Sequence, residues 1–122
     1  MDFNFTAEQE MLRDSVARYF GDHYAFAQRQ GAIRSEEGWR PGFWRGLADD
    51  GGVLGAPFSE ALGGLGGGAV ENMIVMEEIG KALVIEPYLD TVVIGGGLLR
   101  RCGTARASEL IAGIIAGEVR LA

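Results

Sequence analysis

Apolar residues along this chain recur mostly at helical spacing. Leu12, Val16, Tyr19 and Phe20 lie at i, i+4, i+7 and i+8, which predicts an amphipathic helix over about residues 7–24. Thr6-Ala7-Glu8-Gln9 reads as its capping box, with Thr6 on the early amides and Gln9 reaching back. Arg13, Asp14 and Arg18 fall outside the stripe. Pro41 is placed to open a second helix. Phe43, Trp44, Leu47 and Ala48 give that helix its apolar face, and Gly51-Gly52 end it. Between the two, residues 25–40 lose the period and carry Arg29, Arg34, Glu36, Glu37 and Arg40. They read as a solvated connection with room for one helical turn.

The next periodic stretch starts as a glycine loop and continues as a helix over about residues 69–83. Val70, Met73, Ile74 and Glu77 follow helical spacing, while Val75, Met76, Ile79 and Leu83 widen the apolar surface beyond one stripe. A helix apolar on most of its circumference must be covered on several sides, so this one is expected at the centre. The expected core is Leu12, Val16, Phe20, Trp44, Leu47, Met73, Ile74, Ile79, Ile111 and Ile114.

Val53 to Leu62 reads as a buried loop. Glu86-Pro87 breaks the chain, because a residue before proline avoids the helical region. Thr91-Val92-Val93-Ile94 is β-branched and favours a strand, and Gly95-Gly96-Gly97 would weaken either kind of element. Local propensity thus gives strand, turn, then a helix near Leu98 to Cys102. Thr104 caps a last helix over about residues 105–116, with Leu110, Ile111, Ile114 and Ile115 facing inward. Gly117 stops it, and residues 118–122 alternate like the start of a strand.

Composition narrows the chemistry. The chain has 122 residues, enough for one domain with a true core. Glycine is the outlier, with 20 residues. The net charge of −6 argues against a nucleic-acid surface, which needs clustered Lys and Arg. Cys102 and His23 are the only residues of their kinds, so an internal disulfide and a cysteine-rich zinc site are excluded, and a histidine-based metal cage would need a second chain or another protein segment. No apolar run reaches the roughly 20 residues of a membrane span, and Met1-Asp2-Phe3-Asn4 lacks signal-peptide character. A cytoplasmic protein is expected.

Gly64-Leu65-Gly66-Gly67-Gly68-Ala69 fits the dinucleotide pattern G-x-G-x-x-A. It lacks the preceding strand of a βαβ unit, so a structural loop is the better reading. Adjacent Glu77 and Glu78 point about 100° apart on a helix and cannot clamp one atom. Glu77, nearer the apolar stripe, reads as a buried ion-pair or capping partner. His23 suits a helix C-terminus. Cys102 reads as a small buried hydrophobe. Arg100, Arg101 and Arg106 read as a solvated helix face rather than an anion site. No catalytic, cofactor-binding or metal-binding residue emerges, and residue chemistry stops at a mainly helical domain.

The order of segments goes further. Phe3-Asn4-Phe5-Thr6-Ala7-Glu8-Gln9-Glu10-Met11-Leu12-Arg13-Asp14 is followed by Trp44-Arg45-Gly46-Leu47-Ala48 and by Leu54-Gly55-Ala56-Pro57. Then come Leu62-Gly63-Gly64-Leu65-Gly66-Gly67-Gly68 and Val75-Met76-Glu77-Glu78-Ile79-Gly80-Lys81-Ala82-Leu83. This ordered set resembles the N-terminal domain of the flavin-dependent acyl-CoA dehydrogenases. Glu86-Pro87-Tyr88 with the glycine run resembles the branch that includes pimeloyl-CoA dehydrogenase small subunits.

The resemblance implies an all-α, orthogonal bundle of about five or six helices over residues 1–117. Residues 118–122 would then begin a middle β-domain, with a C-terminal helical domain beyond it. It implies a helix, not a strand, at residues 91–94. It implies α,β-dehydrogenation of an acyl-CoA thioester, with FAD in the complete enzyme and none bound tightly by this chain alone. The family's base and most FAD contacts lie outside the matching region. By position, Tyr88, Thr91, Val92 and Gly95 match the stretch lining the acyl pocket. An oligomer is implied as well. The alternative is a non-catalytic helical module that binds a partner chain.

Overall fold

Thr6 starts the first helix as its spacing requires. The Gln9 amide donates to Thr6 Oγ1 at 3.2 Å and the Thr6 amide donates to Gln9 Oε1 at 2.9 Å. The computed structural model describes residues 1–121 and contains six α-helices in that span. They are α1 (Ala7–His23), α2 (Phe26–Arg34), α3 (Pro41–Asp49), α4 (Ala69–Ala82), α5 (Gly96–Cys102) and α6 (Ala105–Ile115). Two short 3-10 turns, Val53–Gly55 and Glu60–Leu62, link α3 to α4. A seven-residue π-helix, Leu89–Gly95, runs directly into α5. No strand occurs among the described residues, and the fold is all-α.

The core joins Val16 and Phe20 of α1 to Phe43, Trp44 and Leu47 of α3. Val53, Leu54 and Phe58 of the linker, Val75 and Ile79 of α4, Tyr24, Tyr88, Val92, and Ile111 and Ile114 of α6 complete it. The α1–α3 contact is aromatic, with Tyr24 and Phe43 rings 4.6 Å apart and Phe20 and Phe43 5.6 Å apart. Gly46 makes this approach possible, since a Cβ there would collide with the Tyr19 hydroxyl. That hydroxyl donates to the Phe43 carbonyl at 3.1 Å.

Several expectations need correction. Residues 25–40 are not a connection with a single turn, because α2 occupies nine of them. It buries only Ala32 and is held at its start by Gln28, whose Oε1 accepts the Ala25 amide at 2.7 Å. Without an apolar stripe it leaves no periodic trace. In α4 the buried residues are Ile74, Val75, Glu78 and Ile79. Met73, expected in the core, is 50% exposed, and Val70 is exposed too. Glu77 is exposed and Glu78 buried, the reverse of the expected order. The helix is therefore turned by one residue, about 100°. Leu12 is only partly buried.

Residues 91–94 are helical, as the resemblance implies and propensity does not. Burial of Thr91 and Val92 outweighs the β-branched preference. Cys102 is exposed rather than buried, at the C-terminal end of α5. After Gly117 the described residues 118–121 form no regular element, yet their burial alternates. Val119 and Leu121 pack on the core, and Glu118 and Arg120 face outward.

Candidate functional site

The segment carrying Tyr88, Thr91, Val92 and Gly95 is fixed from behind. Tyr24 and Glu86 set its entry. The Tyr24 hydroxyl donates to Glu86 Oε2 at 2.6 Å and accepts the Ile85 amide at 3.2 Å. The Arg40 amide donates to Glu86 Oε1 at 3.0 Å. Burial, and then the bond to Glu86, push the Tyr24 hydroxyl up to about 12. This hub ties α1, the start of α3 and the π-helix entry together. Nothing in the local pattern around Glu86 marks it, because the partners lie 46 and 62 positions away.

Tyr88, Thr91 and Val92 are all buried in the helical body. The Tyr88 hydroxyl donates to Asn72 Oδ1 at 3.1 Å, and burial pushes its titration well above the ordinary phenol range. Thr91 Oγ1 donates to the Leu121 carbonyl at 2.7 Å and accepts the Leu121 amide at 2.9 Å. Gly95 faces the same Leu121, where an added Cβ would lie 2.6 Å from its Cδ1. The structure thus gathers these four on one element, with three offering no free surface.

The opposite face of that element is open. Ile94 is 51% and Leu98 60% exposed, and Leu89 and Asp90 are exposed as well. Ile94, Gly97 and Leu98 form one side of a groove of about 300 Å³, and Ala69 and Asn72 of α4 form the other. Arg100 and Arg101 stand at its end. Arg100 donates to the Pro57 carbonyl at 2.9 Å. On the far side of α4, Val70 and Met73 line a second groove with Phe3 and Phe5. Sequence reasoning missed Ile94 and Leu98, because the β-branched run from Thr91 to Ile94 reads as a strand and gives no helical phase.

The glycine loop does not fit a pyrophosphate. The amides of Gly64, Leu65, Gly66 and Gly67 donate inward to the carbonyls of Ser59, Gly55, Phe58 and Ala56. A phosphate cradle needs such amides free and an uncharged helix start. Here Glu71 fills that start. Its Oε2 accepts the Gly68 amide at 2.7 Å and its Oε1 accepts from Gln9 Nε2 at 3.0 Å. The Gln9 bond is the main cause that holds the Glu71 carboxyl below its ordinary range. The loop's amides are satisfied within the loop and by Glu71, so it does not form a pyrophosphate cradle.

The remaining candidates are also structural. Lys81 Nζ lies 2.9 Å from Glu78 Oε1 and 3.5 Å from Glu77 Oε1. The hydrogen bond to Glu78 pushes the Lys81 ammonium up. His23 lies in the last turn of α1, its ring 4.5 Å from that of Tyr19. Arg106 pairs with Glu109 at 3.0 Å. No group of three or more metal-ligating side chains occurs among the described residues. No helix among them is long and apolar enough to cross a membrane.

An all-helical body with a glycine loop turned inward and exposed apolar grooves on either hand of α4 can be compared with known families. The family described as acyl-CoA dehydrogenase, N-terminal domain, matches residues 6–118. The chain belongs to this family. The acyl-CoA dehydrogenase IpdE2 of Mycolicibacterium smegmatis is 36% identical over 112 residues. That match covers 92% of this chain and 36% of the relative. The acyl-CoA dehydrogenase FadE27 of Mycobacterium tuberculosis is 41% identical over 66 residues, covering 54% of this chain and 17% of that one.

Two solved structures share the acyl-CoA dehydrogenase N-terminal fold with this chain. A variant of the Tcur3481–Tcur3483 steroid ACAD superposes with a TM-score of 0.85 at 29% identity, covering 93% of this chain and 31% of that one. The ChsE4–ChsE5 complex from Mycobacterium tuberculosis superposes with a TM-score of 0.83 at 29% identity, covering 99% and 33%. The chain therefore spans about a third of the length of IpdE2 and of these two structures.

Proposed function

We propose that this chain is the acyl-pocket domain of an FAD-dependent acyl-CoA dehydrogenase, which carries out α,β-dehydrogenation of acyl-CoA thioesters. Residues 1–117 form the N-terminal helical domain and residues 118–122 open a middle β-domain. The carrying observation is the two-faced segment formed by Tyr88, the π-helix and α5, buried at Tyr88, Thr91 and Val92 and open at Ile94 and Leu98. An apolar wall desolvates an acyl chain and holds it in one pose, which is the protein's share of such chemistry. Tyr88, Thr91, Val92 and Gly95 form the body of the wall, and Ile94 and Leu98 present its surface.

FAD belongs to the complete enzyme in this reading. Bound there, FAD would supply the hydride acceptor that such a dehydrogenation needs. A cytoplasmic location and an oligomeric assembly belong to the same reading. Gly97 supports a bulky acyl group, because nothing lies within 4 Å of where its Cβ would stand. The Tcur3481–Tcur3483 relative is named a steroid ACAD, and that name supports a ring-bearing acyl group as the substrate class in this reading.

The test extends the coding frame past Ala122 and assays the encoded protein for thioester-dependent dye reduction, with short straight-chain and ring-bearing acyl-CoAs. Turnover that favours the ring-bearing thioester, and that falls selectively in Gly97→Leu, is the expected result. A stop codon at that point, with no flavin-dependent activity in any assembly, overturns it. The exposed Phe3, Val70 and Met73 would then favour a non-catalytic module that binds a partner chain.

A further inference from the structure

Thr91 is fully buried, and its hydroxyl bonds to no group of its own helix among the described residues. A helical threonine commonly returns its hydroxyl to a carbonyl one turn back. Here Oγ1 spans both main-chain groups of Leu121, 30 positions away, giving to the carbonyl and taking from the amide. In an antiparallel ladder a residue exchanges the same two bonds with the residue opposite. One side chain therefore stands in for a neighbouring strand.

The rest of the segment is fitted with equal care. The Glu118 and Val119 amides both donate to the Gly113 carbonyl, at 2.9 and 3.0 Å. Two notches receive its inward side chains. A Cβ on Gly113 would lie 2.6 Å from Val119 Cγ2, and one on Gly95 would lie 2.6 Å from Leu121 Cδ1. The outward Arg120 lays its guanidinium 3.7 Å from the Trp39 ring centroid. A slip of one residue would turn Arg120 inward and Leu121 outward, since side chains alternate along an extended segment.

We propose that Thr91 is a register lock: its hydroxyl and the Gly95 notch fix Leu121 against the π-helix, so that the exit segment and the wall move as one body. Thr91 is a positioning residue and touches no substrate. Its place in catalysis rests on the reading given above, in which residues 118–122 open a β-domain; the lock itself does not.

Amide hydrogen exchange on the chain, followed by nuclear magnetic resonance, tests it without any acyl-CoA. Thr91→Val keeps the shape and loses the hydroxyl, while Thr91→Ser keeps the hydroxyl and loses a methyl. The lock predicts that the Leu121 amide exchanges about tenfold faster in Thr91→Val, the factor for losing about one net hydrogen bond. Thr91→Ser restores slow exchange, and the core Val16 amide stays protected throughout. A space-filling role predicts the reverse order, and that result overturns the lock. If Thr91→Val unfolds, with Val16 exchanging fast as well, Gly95→Ala decides. Faster exchange at Leu121 there supports the lock, and unchanged protection overturns it. Because no turnover is read, failure here leaves the acyl-pocket reading intact, and failure of that reading leaves the lock.

Discussion

The Tyr24 hydroxyl lies 2.6 Å from a carboxylate oxygen of Glu86, and both residues are buried. Among the described residues the Glu86 carboxylate accepts one further hydrogen bond, from the Arg40 amide at 3.0 Å. A buried carboxylate that loses a partner bears its desolvation cost alone. Tyr24→Phe is expected to cost about 1.5–3 kcal/mol, the range for hydrogen bonds to charged groups. Urea denaturation of the two proteins measures it. A loss within error would show that Glu86 is solvated in the native state.

The same pair sets an alkaline limit. Tyr24 titrates near 12 in the folded chain, above its ordinary value of 10.0. Between those values the unfolded state has released a proton that the folded state still holds. Stability from this group is therefore complete below about pH 10 and falls as pH rises toward 12. Tyr19 and Tyr88 are also shifted upward and add to the slope. Tyr24→Phe should flatten the limb in part. Melting temperatures from pH 8 to pH 12, followed by circular dichroism, check this.

Two neighbours on α4 report which way the helix faces. Ile74 is 1% exposed and Met73 50%. Ile74→Ala should cost about 2–5 kcal/mol, as large-to-small core changes do. Met73→Ala should change stability by less than about 0.5 kcal/mol. Equal losses in thermal or urea unfolding would show that Met73 is covered, as by self-association.

Glu71 closes the start of α4 and is held there by Gln9. Its folded titration lies below its ordinary value, so its contribution is present above about pH 4.5 and fades as pH falls through the folded value. Glu71→Ala should cost about 0.5–2 kcal/mol at pH 7, the range for a lost cap, and less at pH 3. Gln9→Ala should show part of the same loss. A cost independent of pH would mean the side chain acts by packing alone.

The elements readable from sequence are those whose signals are local. Thr6 with Gln9, Pro41 and Thr104 mark helix starts by contacts within a turn, and α1, α3 and α6 carry one clear stripe. The rest depends on distant partners. Only the match of Lys81 and the surrounding fold decides that Glu78 rather than Glu77 goes inside. A helix apolar nearly all round gives a period without a phase, so Met73 could not be told from Val75. In the candidate site, order of segments pointed to residues 88–95 as an expectation, but spacing could not say which side chains face out. The i→i+5 bonds of a π-helix widen the turn beyond 3.6 residues and shift the faces.

The loop between α3 and α4 is stitched by main-chain bonds from Gly64, Leu65, Gly66 and Gly67. Such a seam is blind to side-chain chemistry and sensitive only to bulk. A Cβ on Gly67 would lie 2.5 Å from the Ala56 carbonyl oxygen, whereas Ser59, Ala61 and Leu65 project into solvent. In a saturation mutagenesis map the segment should therefore read like a negative. Its smallest residues, Gly64 and Gly67, would be the intolerant ones, and its larger neighbours would drift freely.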